Sequence, residues 1–134
     1  MNLKKIAAAF VAVSLLVGCG LESQGSQAIS DSSRVDQIVV GTTTREEVRA
    51  SLGEPEARWQ EFGTENWSYR FQQESMNAAM FIPVAQMVAG RMHVDFVNMI
   101  VSFNQAGVVT QVVRTCSRSS GGMLTGDTLE TVAC

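Results

Sequence analysis

The stretch Ser32–Pro55, SSRVDQIVVGTTTREEVRASLGEP, decides the fold. It holds two helix starts and two stops in close succession. Ser32 or Ser33 predicts the cap of a short helix with Val35, Ile38 and Val39 on one side, and Gly41 suits its left-handed end. Thr44 predicts a second cap, with Glu47 three residues on to complete a capping box and Glu46 favourable in the first turn. Val48 and Leu52 then fall one turn apart on a buried face, while Arg45 and Arg49 point outward. Gly53 ends this helix and Pro55 forbids its continuation.

Downstream the period changes from 3.6 to 2. In ARWQEFGTENWSYRF, residues 57–71, Trp67, Tyr69 and Phe71 alternate with Ser68 and Arg70, and Gly63-Thr64 marks the turn from a preceding strand around Trp59. Val97, Met99, Val101 and Phe103 form one face of a further strand. Asn104–Gly107 is hairpin chemistry, and VVTQVVRT, residues 108–115, returns as the partner. Two helices followed by an antiparallel meander predict an α+β domain.

Between the strands lies an apolar, Met-rich insertion, residues 76–92, which holds four of the seven methionines. It is too short to span a bilayer. Pro83 predicts the start of a short helix in which Val84, Met87 and Val88 share a face. Core packing of Phe81, Val84 and Met87 against the sheet is one reading, and a mixed outcome with Val84 inside and Met87 accessible is the expectation. A Met-rich contact surface for a partner or lipid, carried by Met80, Phe81 and Met87, is the other.

Upstream, Gly20–Ser33 is rich in Ser, Gln and Gly and predicts a flexible tether. Before it, Lys4 and Lys5 precede an apolar run of 12 residues, Ile6–Val17, in the order of a secretory signal peptide. The run ends in Leu16-Val17-Gly18-Cys19, which resembles the bacterial lipobox. That resemblance implies that Cys19 accepts a diacylglyceryl group through its sulfur, becomes the first residue after cleavage, and is acylated again, with palmitate as a label of the product. Gly20 in place of Asp implies export to the outer membrane. The expected organisation is a lipoprotein signal peptide at 1–18, lipidated Cys19 and tether at 19–33, the α+β domain at 34–116 and a C-terminal tail at 117–134, within which SRSSGGMLTGDT reads as a loop.

Removal of residues 1–18 leaves 116 of 134 residues, enough for one compact domain. It also leaves eight Arg against 13 acids. No basic stripe suits nucleic acid, and none is expected as a partner. With Cys19 carrying lipid, Cys116 and Cys134 remain as either two free thiols or a bridge, and an oxidising compartment favours the bridge. Two cysteines and the single His93 cannot complete a four-ligand zinc site, so no metal is expected. No Gly-x-Ser-x-Gly elbow, Walker loop, HExxH or dinucleotide fingerprint occurs. His93 with Asp95 could imitate a base and its carboxylate, yet no nucleophile accompanies them. The expectation is no enzyme, and no cofactor beyond the covalent lipid on Cys19.

The order Ile38 or Val39, Gly41, Thr43, Val48, Leu52, Gly53, Pro55, Trp67, Tyr69, Phe103 and Gly107 resembles the SmpA/OmlA (BamE-like) domain family. The resemblance covers about 80 residues outside the Met-rich insertion. It implies two short helices packed on a three- to four-stranded antiparallel sheet, an arrangement also similar to β-lactamase inhibitor proteins. It further implies a non-catalytic interaction or scaffold lipoprotein of the outer membrane, facing the periplasm, whose partners are the β-barrel assembly machinery proteins. A module of the same fold that inhibits or senses another periplasmic protein is the alternative.

Overall fold

The computed structural model describes residues 24–134. The expected signal peptide, Cys19 and the start of the expected tether lie outside the described residues. Helix α2 (Arg45–Leu52) follows the sequence signals closely. The Thr44 hydroxyl accepts the Glu47 amide at 3.4 Å, and the Glu47 carboxylate accepts the Thr44 amide at 2.8 Å. The Thr44 amide, together with the Thr44 hydroxyl, which donates to the same carboxylate at 3.1 Å, holds the Glu47 carboxyl below its ordinary value of 4.5. Val48 and Leu52 are buried, and Gly53 ends the helix at φ 85°. Thr44→Ala is expected to cost about 1 kcal/mol in a urea melt at neutral pH. Because the folded carboxyl is the stronger acid, the cap's contribution is complete above pH 4.5 and fades as pH falls through the lowered value. The difference between wild type and variant should therefore shrink in acid.

The first expected helix is shorter. Helix α1 spans only Ser32–Val35, and its cap is Asp31, whose carboxylate accepts the Ser33 amide at 3.0 Å. Val35 and Ile38 still pack on the core, but Val39 is about half exposed. The chain leaves the helical path because other partners claim its backbone. The Val39 amide donates to the Thr43 hydroxyl at 2.8 Å, and the Gly41 amide donates to the Val109 carbonyl at 2.7 Å.

The sheet is larger than expected. Its strands are β1 (Gln24–Gly25), β2 (Ala57–Glu61), β3 (Thr64–Met76), β4 (Met92–Phe103), β5 (Val109–Gly122) and β6 (Thr125–Val132). The order is β1-β3-β4-β5-β6, all antiparallel, with β2 lying on the same edge of β3 as β1. Five strands of five residues or more, plus β1, replace the expected three to four, within a fold that remains α+β in kind. The extra strands come from segments read as tail and tether. Residues 117–122 continue β5, and β6 returns along it as far as Val132, opposite Cys116. Ser, Gly and Thr give this hairpin no apolar alternation, so its pairing rests on backbone hydrogen bonds. The Cys116 and Cys134 sulfurs are bonded, with Cα atoms 5.3 Å apart. A loop of this length contributes about 3 kcal/mol by restricting the unfolded chain.

Residues 24–33 are likewise docked rather than free. Gln24 pairs with Gln72 and Gly25 with Phe71. The Ser26 amide donates to the Arg70 carbonyl at 2.9 Å, and its hydroxyl to the Leu52 carbonyl at 2.8 Å. A Cβ on Gly25 would lie 2.1 Å from the Arg70 oxygen, so only glycine permits this approach. Ile29, in a 3₁₀ turn at Gln27–Ser30, is fully buried.

The core lies between the helices and one face of the sheet. Trp67, Tyr69 and Phe71 of β3 meet Met99, Val101 and Phe103 of β4, with Val48, Leu52 and Ile29 above them. Trp67 packs edge-on to Phe103 at 4.8 Å between ring centroids. The Arg49 and Arg58 guanidiniums cover the indole at 5.3 and 4.9 Å, and Glu54 pairs with both. The indole N–H donates to Glu65 at 2.7 Å, and Glu65 pairs with Arg45 at 3.0 Å. The Tyr69 hydroxyl donates to the Gly53 carbonyl at 3.2 Å, and burial pushes its pKa up to about 12.

Candidate functional site

Strands β3, β4 and β5 run on beyond the helices, and Met76, Met92 and Gly121 stand in register at that far end. The insertion leaves the sheet there and is closed at its neck by one side chain. Asn77 donates through its side-chain amide to the Ala89 carbonyl at 2.8 Å and accepts the Arg91 amide at 3.0 Å. Its own amide donates to the Arg91 carbonyl at 3.0 Å. The neck is thus fixed while the loop above it faces outward.

Within the loop are a 3₁₀ turn, Ala78–Phe81, and helix α3 (Ala85–Ala89), neither of which contains a buried residue. Phe81 is 73% exposed, Val84 78%, Met87 50% and Val88 74%. The core reading is therefore overturned, and Val84, expected inside, is among the most exposed. The helical spacing identified which residues share a face, but no element among the described residues covers that face. Met80 differs from Phe81 and Met87: it is half-buried, with its sulfur so close to Gly90 that a Cβ there would approach it to 2.6 Å. Val84→Ala and Met87→Ala are each expected to shift stability by no more than about 0.5 kcal/mol. Buried apolar residues would lose about 2 to 5. Parallel denaturant melts make the comparison.

Two residues that the sequence reading assigned to a loop join this surface. Met123 and Leu124, at the turn between β5 and β6, are 63% and 70% exposed. The Arg91 guanidinium lies 3.4 Å from the Thr125 hydroxyl and connects the insertion to that turn. Between them is a concavity of about 320 Å³ lined by Met80, Met92, Val94 and Met123, with Ser119 and Asp127 as its polar members. By strand alternation Met92 and Val94 belong to the face opposite Val97 and Met99. The insertion thus lies over the side of the sheet that the helices leave open. The available signal was GGMLTG, residues 121–126, which puts two large apolar side chains where turn chemistry favours polar ones.

No catalytic pair emerges from His93 and Asp95. Both lie on the same face of β4, but Asp95 is engaged by Arg118, which donates to its two oxygens at 2.6 and 3.2 Å, and the buried His93 Nδ1 has no hydrogen-bond partner among the described residues. Among the described residues no group of three His, Cys, Asp or Glu side chains could hold a metal ion. Contiguous exposed apolar side chains are contact chemistry rather than bond-making chemistry.

Comparison with curated proteins and with solved structures finds no match. A family model described as the outer membrane protein assembly factor BamE domain matches residues 29–112. The match opens on Ile29, the first buried residue of the core, and takes in both helices, β2 to β4 and the insertion. On this match over more than half its length, the chain belongs to the family of the outer membrane protein assembly factor BamE domain.

Proposed function

We propose that the protein is an outer-membrane lipoprotein, anchored through acylated Cys19 and facing the periplasm, that serves as a non-catalytic interaction subunit in the assembly of β-barrel outer-membrane proteins. The observation that carries this reading is the assembly-factor domain at residues 29–112. Two further features support it. Leu16-Val17-Gly18-Cys19 resembles a lipidation sequence, and the insertion and the β5–β6 turn expose apolar side chains at one end of the sheet.

Crosslinking in intact envelopes followed by affinity recovery tests the proposal. An assembly subunit should bring down the large barrel-inserting protein and the tetratricopeptide lipoprotein beside it. Recovery of a single unrelated periplasmic enzyme instead would replace this reading with that of an inhibitor or sensor.

A further inference from the structure

We propose that the apolar end of the sheet, formed by Phe81, Ile82, Val84, Val88, Met123 and Leu124, rests in the interfacial layer of the bilayer that anchors the chain. The inference builds on the lipid-anchor reading above and specifies which surface the anchor brings to the membrane.

The first argument is the direction of the chain. Strand β1 runs antiparallel to β3, with Gln24 opposite Gln72 and Gly25 opposite Phe71. Followed toward lower numbers, the backbone therefore leaves the sheet heading toward Met76 and the neck of the insertion. From Gln72 to Met76 is about 13 Å of strand. Five residues separate Cys19 from Gln24, a reach of at most about 18 Å. An anchor on Cys19 is thus held close to the insertion end.

The second argument is the asymmetry of charge. Residues 77–90 contain no charged side chain, and neither do residues 119–126; Arg91 and Asp127, one of each sign, border them. At the opposite end, Thr44 bridges to Val108 beyond the β4–β5 turn, and Glu65 stands opposite Phe103. There α2 and the β2–β3 hairpin carry charges of both signs, Glu46, Glu47 and Glu61 beside Arg45, Arg49 and Arg58, with Glu65 paired to Arg45. Taking that end out of water would desolvate many charges, whereas the insertion end has few to desolvate. Short apolar elements can lie in the headgroup boundary, and an anchor of several chains would keep them there. A protein partner would also fit an apolar patch, but only the bilayer is guaranteed to lie where the N-terminal attachment ends.

The test uses the full lipidated chain reconstituted into phosphatidylethanolamine and phosphatidylglycerol vesicles. An environment-sensitive fluorophore is placed on Val88→Cys or, at the far end, on Phe62→Cys; both positions are exposed, Phe62 at 99%. The expected result is a blue-shifted Val88 probe, quenched several-fold by brominated lipid, beside a Phe62 probe that stays in water. A Val88 probe in water on protein that floats with the vesicles would overturn the inference while leaving the anchor intact. Shielding that grows with the protein-to-lipid ratio would assign the surface to a second copy, and shielding found only in whole envelopes would assign it to a protein partner; either overturns it. Protein that does not float removes the anchor, and this inference with it.

Discussion

Trp67→Ala is expected to lower folding stability by about 3 to 5 kcal/mol, the range for removing a fully buried large aromatic. A domain of this size has about 5 to 15 kcal/mol in total, so much of the population would unfold under mild denaturant. The loss has several components. Trp67 is 1% exposed and fills the centre of the core against Phe103. Its ring is also the surface on which Arg49 of α2 and Arg58 of β2 rest, and Glu54 holds those two cations together. Without the indole, both guanidiniums lose their apolar support, and Glu65 loses the N–H that orients it toward Arg45. Trp67→Phe should recover most of the packing but not the Glu65 contact. Trp59→Ala, at a site 40% exposed on β2, should cost far less. Circular-dichroism melts in urea decide the matter, and a loss below about 1 kcal/mol for Trp67→Ala would show that the core is organised elsewhere.

Cys19→Ala should abolish palmitate incorporation and move the protein out of the membrane fraction as uncleaved precursor or soluble periplasmic protein. Only a thiol accepts the diacylglyceryl group, and Cys116 and Cys134 are joined to each other far along the chain. A single acyl chain binds a bilayer marginally, whereas several together are effectively permanent, so the change is close to all-or-none. Fractionation with radiolabelled palmitate measures it. Undiminished labelling in the variant would end the lipoprotein reading, whatever the domain itself does.

What could be read from the chain was whatever side chains encode locally. The Thr44–Glu47 box, the Gly53 stop and the alternation of Trp67, Tyr69 and Phe71 each leave a pattern within a few residues, and each stands where the pattern put it. Strands β1 and β6 leave none. Their residues are mostly Gln, Gly, Thr and Ser, and what fixes them is backbone pairing to strands already formed. Ile29 was hidden for another reason: one apolar residue among polar neighbours has no period, yet it fills a core position completely. The contact surface was half legible. Met80, Phe81 and Met87 were visible as composition, but the exposure of Val84 depended on there being no element opposite it, which no local pattern records. The addition of Met123 and Leu124 depended on a hairpin that the sequence did not announce.

The short pairing between Gly25 and Phe71 has a consequence for how the domain is put together in time. Strands β2 to β6 each pair with the next strand along the chain, so nearly the whole sheet can zip up through small loop closures. Residues 24–30 are made before every other strand of the sheet, yet β3 must exist before they can dock, and Ile29 waits until it does. The first described segment to be made is therefore the last to settle. It is also the segment that would set the spacing from the proposed anchor on Cys19, since releasing residues 24–31 would lengthen that leash by about 25 Å. Amide exchange should reveal the order, with Ser26 and Ile29 opening well before Tyr69 and Met99; equal protection at all four would mean that the leash and the domain form as one unit.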